Sequence, residues 1–569
     1  MIGLISATAA GAAARDRLAA AWPDRTRVYD GPVGDAVRRA FAECGQLVCF
    51  LATGAVVRLV APLLGDKASD PGVVCVDEGG RFAVSLVGGH GGGANELAVA
   101  VAEVLGARPV VTTATDAVGI PGLDTLGLPV EGDVAGVTRA LLDGEPVALD
   151  AEVAWPLPPV PFAPGGAHTV RLTDRAVAPG EREVLLRPPT VVVGVGASRG
   201  APADVVLALV EDALRDAGLS ALSLAELATV DAKRDEPGLV EAARRLGVPL
   251  VTHSAGELAD VEVPNPSDAP LTAVGTPSVA EAAALIGGGE LLVPKRKSAD
   301  VPATATCAVV RRPGRGRLAV VGLGPGARDL LTPRAKAELA RSSVLVGLDQ
   351  YVDQIRDLLR PGTRILESGL GAEEERARTA VEEARRGQSV ALIGSGDAGV
   401  YAMASPALAE ASDDIDVVGV PGVTAALAAG AILGAPLGHD HVSISLSDLH
   451  TPWEVIERRV RAAAEADIVV TFYNPRSRGR DWQLPKALSI LAGHREPGTP
   501  VGVVRNASRP DGTARLTTLG ELDPAWVDMM TVVTVGNTAT RNIAGRMVTP
   551  RGYRWQENSP QPDPQEGAR

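Results

Sequence analysis

Between Ser389 and Ala404 the chain reads Ser-Val-Ala-Leu-Ile-Gly-Ser-Gly-Asp-Ala-Gly-Val-Tyr-Ala-Met-Ala. The short apolar run Val390–Ile393 reads as a buried strand. Gly394-Ser-Gly-Asp-Ala-Gly399 breaks it, and a helix-like run resumes from about Val400. Strand, glycine turn and helix start make one half of an α/β unit, and in such units ligands sit beyond the carboxyl ends of the strands. Three glycines in six residues let backbone approach a ligand at little steric cost. Asp397 is the only charge in the turn, and nothing adjacent in sequence neutralises it. Alone, the stretch reads equally as a plain connection with a solvated aspartate.

The same alternation recurs along the chain, which predicts a multidomain α/β protein with mostly parallel sheets. Residues 1–116 carry strands at Leu47–Leu51, Val73–Val76 and Phe82–Val87, and helices starting at Gly54 and near Asn95-Glu96. Residues 117–189 are weaker in pattern and read as a short middle module or linker. Trp155-Pro-Leu-Pro-Pro-Val-Pro161 lacks the donors of a sheet interior. Residues 190–312 form a second α/β block, with a helix predicted to start at Thr276-Pro277 and stop at Gly287-Gly-Gly289. After a linker at 313–317, a third block spans 318–553. There Thr332-Pro333 reads as a helix start, Glu373–Arg386 as a surface helix and Thr451-Pro-Trp-Glu454 as a capping box. The polar, Pro-rich tail 554–569 is expected to be disordered.

Length agrees with this division, since 569 residues make about three or four domains. Apolar residues are 46% of the chain but aromatics only 3%, so cores must be built from Ala, Val and Leu. A net charge of −14 argues against nucleic acid as the main partner, while leaving room for an anionic small molecule met by local arginines. Four cysteines form no CxxC pair, so reduced thiols, a cytoplasmic setting and no zinc site are expected. The start Met1-Ile-Gly-Leu-Ile-Ser reads as a first strand rather than a signal peptide, and no stretch is long and apolar enough to span a membrane.

Gly322, Gly324 and Ala327 formally meet the dinucleotide fingerprint. Pro325 sits inside that turn, however. About twenty residues on, only Asp349 is offered, and it is not read as a strand end. Gly194-Val-Gly-Ala-Ser-Arg-Gly200 lacks the Lys-Ser/Thr of a phosphate loop.

Leu323-Gly-Pro-Gly-Ala-Arg-Asp-Leu-Leu-Thr-Pro333, Ser395–Tyr401, Val420-Pro-Gly-Val-Thr-Ala-Ala426, Leu433–Asp440, Ser445-Leu-Ser-Asp448, Thr451-Pro-Trp453, Phe472-Tyr-Asn-Pro-Arg-Ser477 and Thr549-Pro-Arg-Gly-Tyr553 occur in order. In this order they resemble the precorrin-3B C-17 methyltransferases of vitamin B12 synthesis, over nearly all of 318–553. That resemblance implies a tetrapyrrole methylase fold of two α/β domains, with S-adenosylmethionine in the cleft between them, and a homodimer. It implies a cofactor site of Pro325, Ser395, Gly396, Asp397, Val400, Thr424, Ala425, Asn474 and Ala507. The substrate would be a tetrapyrrole bearing many carboxylates. Arg476, Arg478, Arg480, Arg551 and Arg554 suit it, since guanidinium pairs with carboxylate through two bonds. The family methylates carbon 17 and contracts the ring, which calls for a proton acceptor. His439, Asp440, Asp448 and His450 are the candidates.

The first half has its own resemblance. Ala52–Arg58, Asp66-Lys67, Asp70-Pro71, Asp77-Glu78, Ser85–His90, Gly92–Leu97, Thr112-Thr-Ala-Thr-Asp116, Lys233–Leu239, Val274–Leu285 and Pro294-Lys-Arg-Lys-Ser298 are similar to the cobalt-precorrin-5A hydrolases. That family opens a lactone and releases a two-carbon aldehyde, which needs a base or activated water and an oxyanion partner. His90, Glu96 and Lys233 are the leading candidates, with Asp77, Asn95 and Glu281 beside them. Lys295, Arg296 and Lys297 are candidates for binding substrate carboxylates. Ala197-Ser198 stands where the family shows Cys-Arg. This departure keeps open a second expectation, that the first half is a non-catalytic module handing tetrapyrroles on within the corrin pathway.

Overall fold

The computed structural model describes residues 1–552 apart from 67–68, 300–303, 313 and 478. Lys67, Arg478, Tyr553, Arg554, the tail 554–569 and part of the expected linker therefore lie outside the described residues. The chain divides into two compact units, Met1–Arg315 with Arg360–Thr363, and Gly316–Leu359 with Arg364 onward.

The first unit holds three sheets. In the first, strands run in the order Thr26–Val28, Ile2–Ser6, Gln46–Phe50, Gly72–Val76, Phe82–Val87 and Arg108–Val110. All neighbours are parallel except Gly72–Val76 with Phe82–Val87. The middle module is more than a linker. Val130–Gly132, Glu183–Leu186, His168–Leu172 and Val147–Ala151 form a four-stranded sheet around its own Leu and Val core. The proline run at 155–161 stays outside it, as its missing donors require. The third sheet runs Leu250–His253, Leu224–Val230, Val191–Ala197, Ala305–Arg311, Glu290–Lys297. Its helix Ala280–Leu285 starts later than Thr276-Pro277 suggests. The Thr276 hydroxyl is spent on the Ser278 carbonyl and caps nothing.

The second unit has two lobes. The first is a parallel sheet in the order Arg364–Ser368, Val344–Leu348, Ser389–Gly394, Arg317–Gly322, Asp416–Val420. Counted from Arg317–Gly322 as strand one, this is 3-2-4-1-5 and not the 3-2-1-4-5-6 of the dinucleotide-binding fold. Asp349 does directly follow the strand Val344–Leu348 here, because the short Gly347-Leu348 end is strand rather than turn. The other lobe is a mixed sheet, His441–Ser445, Val469–Tyr473, Thr531–Val535, Pro500–Arg505, Thr513–Thr518. Both cores are aliphatic, with Phe472 the largest fully buried aromatic side chain.

Helix starts in this unit test the cap rules. Thr332 caps Pro333–Arg341 by accepting from the Ala335 amide at 3.1 Å. Thr332→Ala is expected to cost about 1 kcal/mol, read as a lower urea midpoint for this unit. Thr451 caps nothing. The helix Trp453–Glu465 begins one residue later than a Thr451 cap would place it, with Pro452 at the boundary. The turn after Ser389–Gly394 is also longer than its sequence suggests, with helix only from Ala404 to Glu410.

Candidate functional site

Three glycine turns of the first lobe meet where its strands end. Gly324 and Gly396 pair as an isolated antiparallel bridge, with N···O distances of 2.9 and 2.7 Å. Gly422 lies against both neighbouring turns. A Cβ there would stand 2.2 Å from the Gly396 carbonyl oxygen and 2.7 Å from that of Gly322. Gly396 itself has φ +67°, a conformation open to glycine at little cost. Asp397 ties the crossing together. Its two carboxylate oxygens accept from the Gly399 amide at 2.8 Å and the Gly422 amide at 3.0 Å. The charge that looks unneutralised in sequence is therefore held by backbone donors of its own turn and of the next.

This crossing floors a cleft between the two lobes, enclosing about 820 Å³ with open solvent included. Pro325, Ser395, Gly396, Asp397, Val400, Thr424, Ala425, Asn474 and Ala507 all line it. Sequence reasoning missed the rest of the wall, chiefly Tyr351, Tyr401, Tyr473, Asn506, Arg509 and the Met529-Met530 pair. The Tyr473 hydroxyl accepts from the Ala426 amide at 2.8 Å and shares a 2.5 Å hydrogen bond with Thr424. Burial pushes its phenol up from the usual range, against the pull of the Thr424 and Ala426 hydrogen bonds. Tyr401 packs on it with ring centroids 5.3 Å apart. Arg509 reaches across from the second lobe, its Nε donating to the Pro325 carbonyl at 3.1 Å.

The cleft offers close backbone, an anchored carboxylate, and aromatic and methionine surface, and its glycine turns hold no lysine.

The other candidates fall elsewhere. His439, Asp440 and Arg551 share a separate open depression with Leu437, Gly438 and His441. The Asp440 amide donates to His439 Nδ1 at 2.7 Å, and the Asp440 side chain is 82% exposed. Asp448 accepts from Gln483 at 2.9 Å, and His450 is exposed. The arginine cluster at 476–480 is split. Arg476 donates to the Pro524 carbonyl at 3.1 Å. Arg480 donates to the Leu446 and Asn474 carbonyls, and burial lowers its pKa despite the nearby Asp448. Arg480 is thus a brace between strand ends.

In the first unit, strand direction separates the hydrolytic candidates. Val73 faces Val87 and Val76 faces Ala83, so Asp77 sits at one end of Gly72–Val76 and the Gly88–Gly93 loop at the other. Five residues at about 3.3 Å each put roughly 16 Å between these ends. Asp77 instead closes its own turn, accepting from the Arg81 and Phe82 amides. His90 Nε2 lies 2.7 Å from Thr115 Oγ1, and Asn95 bridges Ser85 and Thr113 at 2.7 and 2.9 Å. His90, Asn95, Thr113 and Thr115 therefore make one cluster, while Glu96 is exposed on the adjoining helix. The third sheet and the turns and helix that flank it carry Lys233, Glu281 and Lys295, each tied up locally. Lys233 pairs with Glu236 at 2.9 Å, and Glu236 also accepts from the Gly200 amide at 2.7 Å. Both contacts hold the Glu236 carboxyl below its usual range. Fully buried Glu281 accepts from Asn265 and the Lys295 amide, while Lys295 Nζ donates to the Asn265 carbonyl and to Ser267. Arg296 pairs with Asp216.

All four cysteines are buried and free. Burial pushes the Cys49 and Cys307 thiols up to about 12. Among the described residues no group of three His, Cys, Asp or Glu could hold a metal ion, and no helix is long and apolar enough to cross a membrane.

Residues 317–523 match the family model of tetrapyrrole (corrin/porphyrin) methylases. Residues 191–310 and 35–116 match the cobalamin synthesis G C-terminus and the cobalamin synthesis G N-terminal models. A probable cobalt-factor III C(17)-methyltransferase of Salmonella typhimurium is 46% identical over 239 residues, which is 42% of this chain and 99% of that protein. A precorrin-3B C(17)-methyltransferase of a Sinorhizobium species is 41% identical over 42% of this chain and 97% of that protein. A cobalt-factor III methyltransferase of Priestia megaterium is 42% identical, and the chain spans 45% of its length. The chain belongs to the tetrapyrrole methylases, the methyltransferases of corrin and porphyrin rings, and joins that fold to both parts of a cobalamin-synthesis module. Both resemblances read from the motifs are thereby met.

Proposed function

We propose that residues 318–553 transfer a methyl group from S-adenosylmethionine to carbon 17 of precorrin-3B or cobalt-factor III, with contraction of the ring. The observation that carries this reading is the glycine crossing with Asp397, flooring a cleft lined by all nine residues of the expected cofactor site. The donor supplies a sulfonium methyl already activated for displacement, so the protein's part is alignment. The three glycine turns set the floor and Asp397 fixes their spacing. Tyr401 and Tyr473 wall one side. His439, Asp440 and Arg551 belong to the same reading as the proton acceptor and carboxylate partner, from their separate depression, with Asp448 and Arg476 as further candidates. Mass spectrometry of the product made from precorrin-3B, with and without cobalt, tests it. A product without one added methyl group overturns it.

The first half, with domains at 1–116 and 190–312 around the middle module, is assigned the opening of the cobalt-precorrin-5A lactone with aldehyde release. His90 is its base. His90→Ala in the full chain is expected to abolish aldehyde release, about 10²-fold or more, and to leave methyl transfer unchanged. Equal aldehyde release by the variant would remove His90 from the chemistry. A second reading, a binding module without catalysis, is favoured by a specific observation: Asp77, Lys233, Glu281 and Lys295 are each spent on local structural bonds. Absence of aldehyde release from the intact wild-type chain would select it. A homodimer in the cytoplasm completes the proposal, and sedimentation tests the dimer.

A further inference from the structure

Asn506 stands in the cleft wall beside Ala507 and Arg509. It is 8% exposed, and its side-chain carbonyl oxygen is buried with no hydrogen-bond partner among the described residues. The orientation of the amide is fixed, because its nitrogen donates to the Asp511 carboxylate at 2.6 Å. An amide placed the other way round would set two acceptors against each other. The orphaned atom is therefore an acceptor, and burying an acceptor unmet costs free energy. The backbone is also specialised here. Asn506 and Ser508 have φ of +48° and +62°, a region that asparagine enters more readily than most side chains. Strain and an unmet acceptor coincide at one residue of the cleft.

We infer that the Asn506 carbonyl is a ligand contact, accepting a hydrogen bond from an N–H group of the methyl-donor molecule. This rests on the reading of the cleft as the methyl-donor site. The adenine amine and the amino-acid ammonium share that chemistry. Asp511 is the positioning residue, since it takes the amide's donor and leaves the carbonyl as the unmet acceptor.

The test is calorimetric titration of the full chain with S-adenosylhomocysteine and with methylthioadenosine, which lacks the amino-acid end. Asn506→Gly keeps the left-handed backbone and deletes the amide. It is expected to weaken S-adenosylhomocysteine binding about tenfold, the effect of one lost hydrogen bond. A matching loss for methylthioadenosine assigns the donor to adenine, and an unchanged value assigns it to the ammonium. The double variant Asn506→Asp/Asp511→Asn exchanges donor and acceptor in the internal bond and leaves an acceptor in the place of the Asn506 carbonyl. It is expected to restore binding to within about threefold of wild type, a fraction of one hydrogen bond. Wild-type affinity in Asn506→Gly overturns the inference, as does a double variant no better than the glycine variant. Failure of the wild-type chain to bind S-adenosylhomocysteine at all would instead overturn the methyl-donor reading and take this inference with it.

Discussion

Gly422→Ala is expected to abolish measurable binding of S-adenosylhomocysteine and to destabilise the second unit by about 3 kcal/mol or more. One methyl group does this because of what surrounds it. Its carbon would stand 2.2 Å from one carbonyl oxygen and 2.7 Å from another, and both belong to backbone that is itself crossed by a third segment. No side-chain rotation relieves a backbone contact. The φ of Gly422 is not left-handed, so alanine fits the local conformation and the loss is one of space alone. Gly419, three residues earlier, is the control. A Cβ there meets nothing within 4 Å, and Gly419→Ala should bind as wild type. Calorimetry and a thermal melt on both variants check the prediction. Retained affinity in Gly422→Ala would mean that the turns part readily and do not act as one floor.

Asp397→Ala is expected to lower S-adenosylhomocysteine affinity at least about tenfold and also to cost about 1–3 kcal/mol of stability. Sequence reasoning points only to the first effect, with a carboxylate facing a ligand. The structure adds the second, because removing the side chain leaves the Gly399 and Gly422 amides without their acceptor. Asp397→Asn is expected to show both losses as well: it keeps one acceptor but sets an N–H₂ group against one of the two amides, so it loses stability as well as charge. A melt unchanged in Asp397→Ala would show that water replaces the carboxylate at both amides. An unchanged affinity would remove Asp397 from ligand binding.

Much of this fold is legible in the sequence. The strands announce themselves because an apolar run of four to six residues closed by glycine has few alternatives: Phe82–Val87 falls where the pattern puts it, and Val390–Ile393 lies inside Ser389–Gly394, which is one residue longer at each end. Helix starts were less legible. Thr332 and Thr451 are both followed by proline, yet only Thr332 is the cap of its helix, while Pro452 takes that place in the other. The far wall of the cleft carries no periodic signal at all. Asn506 and Arg509 reach it from a loop with left-handed residues, and Tyr351 from a helix start of the first lobe. The separation of Asp77 from His90 was readable and missed. Asp77–Arg81 is too short for the crossover that parallel strands need, so Gly72–Val76 and Phe82–Val87 must be a hairpin.

Seven non-glycine residues of the described chain have left-handed backbone, and Tyr401, Asn474 and Asn506 among them line one cleft, with Ser508 beside it. Each such residue stores roughly 1–3 kcal/mol that the rest of the fold must hold. The obvious route to a hardier enzyme, relaxing strained positions one by one, would therefore act on the very residues that shape the cleft. Hardening for biotechnological use is better sought far from it, in exposed helix positions of the first unit, where sequence can change without redrawing the cleft.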